Sequence, residues 1–274
     1  MPPTASPILL FDSITQAPNT WQEAPVLVCG SHGGLAAAMF ALQRGVKGVI
    51  FNDAGVGRRK AGIAGLEVLE RHGVMGACVD VFTARIGSAR ETLAGRISHA
   101  NRLARQAGVE PGQEAALAAE LISQVPRTPP PLKELDLPAE KEEILYRHPD
   151  GRRIVALDSN SMIRPEHRRD VVCTGSHGGL VGRQPAVKHP VLAAFYNDAG
   201  IGKQGAGLTR LPWLEQRGII GATVAADSAR IGVGRDTYEN GIISALNRLA
   251  RELGLEEGMP ARQAARLILE RCSA

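Results

Sequence analysis

Two histidines in this chain sit in the same six-residue setting. Residues 30–35 and 175–180 both read Gly-Ser-His-Gly-Gly-Leu, with His32 and His177 at their centres. An imidazole changes charge near neutral pH, so it can act as a general base, a proton donor or a metal ligand. The glycines Gly33, Gly34, Gly178 and Gly179 let the backbone come close to a ligand, and their amides could hold an anion at a helix start. Ser31 and Ser176 add a hydroxyl beside each ring. The plain alternative is a tight strand-to-helix turn with an incidental histidine; the recurrence of all six residues favours function.

Asn-Asp-Ala-Gly recurs at 52–55 and 197–200. Asp53 and Asp198 could orient the histidines, activate water or bind a metal, although turns and caps also favour Asn and Asp. Ala-Arg-Ile-Gly recurs at 84–87 and 229–232. Arg85 and Arg230 could clamp a carboxylate or phosphate with two parallel hydrogen bonds, or pair structurally with an aspartate. Two residues before these arginines a hydroxyl is kept, as Thr83 and Ser228, and Ser228 is the candidate there for an activated serine or a substrate contact. The glycine-rich stretches after Asp53 and Asp198 resemble anion cradles, without the Gly-Lys-Ser/Thr ending of a P-loop.

The motifs belong to one internal repeat, the feature to find before any other. Gly30 matches Gly175 and Gly87 matches Gly232 at a constant step of 145. One residue is then inserted, and Asn101 to Arg105 match Asn247 to Arg251. The copies span about 8–124 and 154–270, which divides the chain into a first repeat (1–124), a proline-rich charged linker with a hairpin strand (125–153) and a second repeat (154–274). Within a copy, apolar runs at 8–11, 26–29, 46–51 and 74–82 read as strands. Residues 35–44, 63–72, 88–107 and 112–124 read as helices. Pro-Asp-Gly at 149–151 marks a hairpin turn. The expected fold is α/β: two similar βα units with mostly parallel sheets flanked by helices, in a pseudo-twofold arrangement. The repeated polar motifs then fall at the carboxyl ends of strands, where such sheets bind ligands. In the second copy, Pro185 and Pro190 interrupt the helix pattern that follows the histidine turn.

Composition narrows the class. With 274 residues, 44% of them hydrophobic, the chain can bury a sizeable core. A net charge of +4 is scattered and aromatics make up 4%, which argues against nucleic-acid binding. No apolar run suits a membrane span or a secretory leader. Cys29, Cys78, Cys173 and Cys272 form no Cys-x-x-Cys pair or zinc-finger spacing, as expected of a cytoplasmic protein. Cys29 and Cys173 adjoin the histidine turns, where a buried small residue is the better reading than a nucleophile.

Val26–Asp53, with its strand, Gly-Ser-His-Gly-Gly turn, helix and second strand, resembles a dinucleotide-binding βαβ unit, although its glycines do not follow Gly-x-Gly-x-x-Gly. The strand-Ser-His-Gly segment also resembles the histidine loop of caspase-like peptidases; those carry Ala-Cys after the next strand, where this chain has Asn-Asp. The leading expectation is an enzyme acting on a small anionic substrate, a hydrolase in which His32, His177, Asp53 and Asp198 do the chemistry or share a divalent metal. Arg85 and Arg230 would hold the substrate's anionic group. A non-catalytic nucleotide- or phosphate-binding protein with Rossmann-like halves is the alternative, and self-association of the chain is compatible with either.

Overall fold

A computed structural model describes residues 5–126 and 140–272. Two compact units divide the chain. Met1–Val56, Lys60–Pro138 and Gly202–Gln204 make the first; Gly57–Arg59, Ala139–Ile201 and Gly205–Ala274 make the second. The proline-rich part of the predicted linker, 127–139, lies outside the described residues.

Unit 1 is a five-stranded sheet ordered β1-β2-β3-β4-β5. Its strands are β1 (Ile8–Phe11), β2 (Val26–His32), β3 (Gly48–Asn52), β4 (Met75–Val79) and β5 (Ile97–Ala100). The first four run parallel and β5 pairs antiparallel to β4. Helices α1 (Leu35–Gln43) and α2 (Gly65–Arg71) link successive strands, and α3 (Ala89–Ala94), α4 (Arg102–Gln106) and α5 (Ala115–Gln124) follow β4. Four alanines and two leucines give α1 its helix propensity, and Gly45, at φ 60°, stops it. Strand residues alternate between two apolar layers, as period-two side chains must. Leu27, Val49 and Phe51 pack with α1 and α2, whereas Val26, Val28, Ile50 and Val79 pack with α5. Burying a side chain such as Phe51 contributes roughly 2–3 kcal/mol.

Strands in chain order have a consequence for the ligand site. Right-handed crossovers that all step in one direction place their helices on one face, which is where α1 and α2 lie. The parallel part therefore lacks the reversal of strand order that opens the crevice of a dinucleotide-binding sheet.

Unit 2 is a six-stranded sheet ordered β11-β10-β9-β8-β7-β6. It comprises β6 (Glu142–Arg147), β7 (Arg153–Leu157), β8 (Val171–His177), β9 (Ala193–Asn197), β10 (Ile220–Val224) and β11 (Ile243–Leu246). β7 to β10 are parallel, and β6 and β11 are antiparallel edges. Helices α6 (Arg210–Gln216), α7 (Gly234–Asn240), α8 (Arg248–Glu252) and α9 (Ala261–Arg271) cover it. The Pro-Asp-Gly turn joins β6 to β7 as expected. No helix forms between β8 and β9, the stretch that carries Pro185 and Pro190.

One predicted element is wrong. The single helix over 88–107 is α3, then β5, then α4. Gly95 ends α3 with an extended ψ of −179°, and a Cβ there would lie 2.9 Å from the Ala84 Cβ. Ile97 to Ala100 then pair with β4, and Asn101 restarts a helix by accepting the Ala104 N–H at 3.0 Å. Weak helical periodicity lost to strand pairing and a cap.

Candidate functional site

His32 ends β2, level with Asn52 on β3 after an irregularity in the pairing. Gly30 lies inside that irregularity, with Asp12 and Gly87–Ser88 backbone pressed against it so closely that no side chain fits. Ser31 points its Oγ at the Ile14 N–H, which it accepts at 3.0 Å. The His32 ring turns back onto its own loop, where Nδ1 accepts the Gly34 N–H at 3.1 Å. An acceptor at Nδ1 leaves the ring proton on Nε2. Burial lowers the ring's pKa to about 4, so it is neutral at pH 7. Nε2 has no hydrogen-bond partner among the described residues. The glycine pair is spent on packing: Gly33 abuts the Cys78 Sγ and the Gly62 carbonyl, and a Cβ at Gly34 would lie 2.7 Å from His32 Nδ1.

Asn52 and Asp53 build the loop beyond β3. The Asn52 Oδ1 accepts the Ala54 N–H at 2.9 Å and its Nδ2 donates to the Ala84 carbonyl at 3.0 Å. Asp53 Oδ1 accepts the Gly55 and Val81 N–H groups at 2.9 and 3.0 Å. These bonds hold a left-handed run, Ala54 at φ 50°, Gly55 at 69° and Val56 at 63°. Side-chain acceptors two residues upstream hold the Ala54 and Gly55 amides, and the Val56 N–H closes on the Asp53 carbonyl at 2.8 Å, which offsets the cost of that conformation for Ala and Val. Burial pushes the Asp53 carboxyl above the ordinary carboxylate range, against the Ser98 hydroxyl and the two amides, which favour its charged form. Cys78, pushed well up by its own burial and the nearby Asp53, completes the neighbourhood.

Unit 2 contains the same set of bonds. His177 Nδ1 accepts the Gly179 N–H at 3.2 Å, and Ser176 Oγ accepts the Asn160 N–H at 2.8 Å. Asn197 joins the Ala199 N–H to the Ala229 carbonyl, each at 2.9 Å. Asp198 accepts the Gly200 and Ala226 amides, and Ser244 takes the place of Ser98. Ala199, Gly200 and Ile201 are left-handed, at φ 51°, 72° and 64°.

The other expected site residues have structural duties. Arg85 makes a long 3.4 Å ion pair with Glu91 and is half exposed. Arg230 is gripped by both carboxylate oxygens of Asp236. Thr83 and Ser228 donate to the carbonyls three residues before them and accept the Arg96 and Ile242 amides. Neither hydroxyl contacts a base, so the activated-serine reading of Ser228 has no geometric support. Cys29 and Cys173 are fully buried, and desolvation pushes both thiols far above the usual range; such cysteines are inert. Among the described residues, no group of three or more His, Cys, Asp or Glu side chains is placed to hold a metal ion.

Three participants escaped the sequence reading. Ser98 and Ser244 were assigned to a helix, although their retention in both copies was the available signal. Arg210 was overlooked because it has no counterpart: it stands where the first copy has Gly65. No described helix is long and apolar enough to cross a membrane. No protein-family model matches the chain, and no curated protein or solved structure matches it either.

Proposed function

We propose that the chain is an enzyme that binds a small carboxylate- or phosphate-bearing substrate at its histidine turns and hydrolyses it. The carrying observation is the bond from the Gly34 N–H to His32 Nδ1, which fixes a neutral ring with its proton on Nε2. A neutral imidazole of this kind is a hydrogen-bond donor. It polarises a carbonyl or phosphoryl oxygen as negative charge develops there, and it does so without a proton leaving the ring. That role replaces the general base and the metal ligand, both of which need a lone pair at Nε2. His177 Nδ1 accepts the Gly179 N–H in the same way. Asp53 and Asp198 support the loops around the turns in this reading, and Arg85, the more loosely paired arginine, attracts the substrate's anionic group. The repeat in the sequence implies one ancestral unit, duplicated.

His32→Asn tests the reading. The asparagine Oδ1 can still accept the Gly34 N–H, while the Nε2 donor is gone. Hydrolysis of p-nitrophenyl phosphate and p-nitrophenyl carboxylic esters should fall by about a hundredfold in His32→Asn or His177→Asn, with the melting temperature little changed. Unaltered turnover in both variants would refute the histidine role.

One observation favours a second reading, a non-catalytic phosphate-binding protein. Asn52, Ser31 and Thr83 spend their polar atoms on backbone bonds and Asp53 is held by two amides and the Ser98 hydroxyl, leaving the ring as the reagent of the turn. That reading predicts thermal stabilisation by phosphate or nucleotides with no turnover of any ester.

A further inference from the structure

The two turns are closed by different devices. In unit 1 the Gly34 carbonyl is the first acceptor of α1, taking the Ala38 N–H at 3.1 Å. This nine-residue helix starts with no side-chain cap and no acidic residue in its first turn, so its positive end faces the histidine turn unneutralised. Gly65 donates its N–H to the Gly33 carbonyl at 2.9 Å. A Cβ at Gly65 would lie 2.6 Å from both the Ala38 Cβ and the Gly34 carbonyl oxygen, so the helix excludes any side chain there.

Unit 2 has no such helix, and Arg210 stands at the matching position. Its backbone N–H makes the equivalent bond to the Gly178 carbonyl at 2.9 Å. Its Nη2 donates to the Gly179 carbonyl at 2.9 Å, the acceptor that α1 satisfies in unit 1, and Nη1 reaches the Ala186 carbonyl. The guanidinium lies over the Tyr196 ring, 4.8 Å from its centre. Arg210 is 4% exposed. Among the described residues no carboxylate pairs with it, and its buried Nε has no hydrogen-bond partner. A buried cation without a counter-ion is costly.

We propose that Arg210 does for the second turn what α1 does for the first: it closes the glycine carbonyl and sets positive charge against the turn, so that both turns accept an anionic group. The proposal deepens the function given above and rests on reading the turns as anion sites. Two unrelated devices, a helix terminus and a buried guanidinium, leave the same sign of charge at equivalent places.

Titrating the full-length chain with inorganic phosphate, while following the Gly34 and Gly179 amides and both imidazoles by nuclear magnetic resonance, tests it. Both turns of the wild type should respond and saturate. Arg210→Gln keeps an N–H donor for the carbonyl and removes the charge. It should weaken the Gly179 and His177 response about tenfold and leave Gly34 and His32 unaltered. Unchanged affinity at Gly179 in that variant would overturn the role of Arg210 alone. A wild type in which neither turn responds would overturn the anion reading itself. Should Arg210→Gln not fold, Arg210→Lys decides: its charge should preserve phosphate binding while the Gly179 and Ala186 carbonyls lose the guanidinium that bridges them and exchange protection nearby drops. Loss of phosphate binding at Gly179 in Arg210→Lys would refute the proposal.

Discussion

Acid should destabilise unit 1 through a single ring. His32 is neutral in the folded chain, with a pKa of about 4, against 6.5 when unfolded. The unfolded chain therefore takes up the proton first. The stability this ring contributes is complete above about pH 6.5 and is lost as the pH falls towards about 4. A gap of that size corresponds to roughly 3 kcal/mol, a large share of the 5–15 kcal/mol typical of a domain. The cause is local: a charged ring would be buried, and a proton on Nδ1 would meet the Gly34 N–H, donor against donor. Urea unfolding at about pH 7, 5.5 and 4 measures the effect. Carboxylates titrate in the same window, so the quantity to follow is the stability of the wild type relative to His32→Asn. It should shrink by roughly 3 kcal/mol across that range. Nitrogen shifts of the imidazole should show the Nε2–H form down to about pH 5. A ring that titrates near its ordinary pKa, or a difference constant with pH, would refute the assignment of a neutral donor.

Two further outcomes follow from the geometry. Asn52→Ala strands the Ala54 N–H and the Ala84 carbonyl inside the protein; the loss should be about 3 kcal/mol by urea unfolding, with faster exchange of the Ala54 amide. Treatment of the native chain with iodoacetamide and mass mapping should modify Cys272, which is partly exposed, and leave Cys29, Cys78 and Cys173 unmodified until the chain is unfolded.

Much of the fold was legible because its signals are strong and local. The apolar run Val26 to Cys29 and the alanine-rich helix after it can form little other than a strand and a helix. The β5 segment was not legible, since Ile97, Ser98 and His99 gain their pairing from β4, some twenty residues earlier. The motifs of the candidate site were legible, and the bonds that their atoms make were not. Asn-Asp-Ala-Gly looked like chemistry because acids and amides do chemistry; its atoms instead hold a left-handed backbone, a conformation that composition does not reveal. His32 was legible as a candidate, but whether its ring can give or take a proton depends on one amide of the next turn. Arg210 was invisible because repeats direct attention to what is kept, and its meaning lies in what was replaced.

The order of the strands bears on how each sheet is assembled. β1 to β4, and likewise β7 to β10, lie beside their neighbours in sequence, so every parallel pair is closed by one short crossover. Loop-closure entropy is then met in small instalments, which is uncommon for parallel sheets and favours fast folding. A ribosome delivers these strands in the order in which they pair, so each can dock on a finished edge as it emerges. The last-made strands, β5 and β11, become the edges, and each is partly covered by the loop that follows: Ile97 exchanges bonds with Gly112 and Gln113, and Ile243 with Gly258 and Met259, which blunts pairing with another chain.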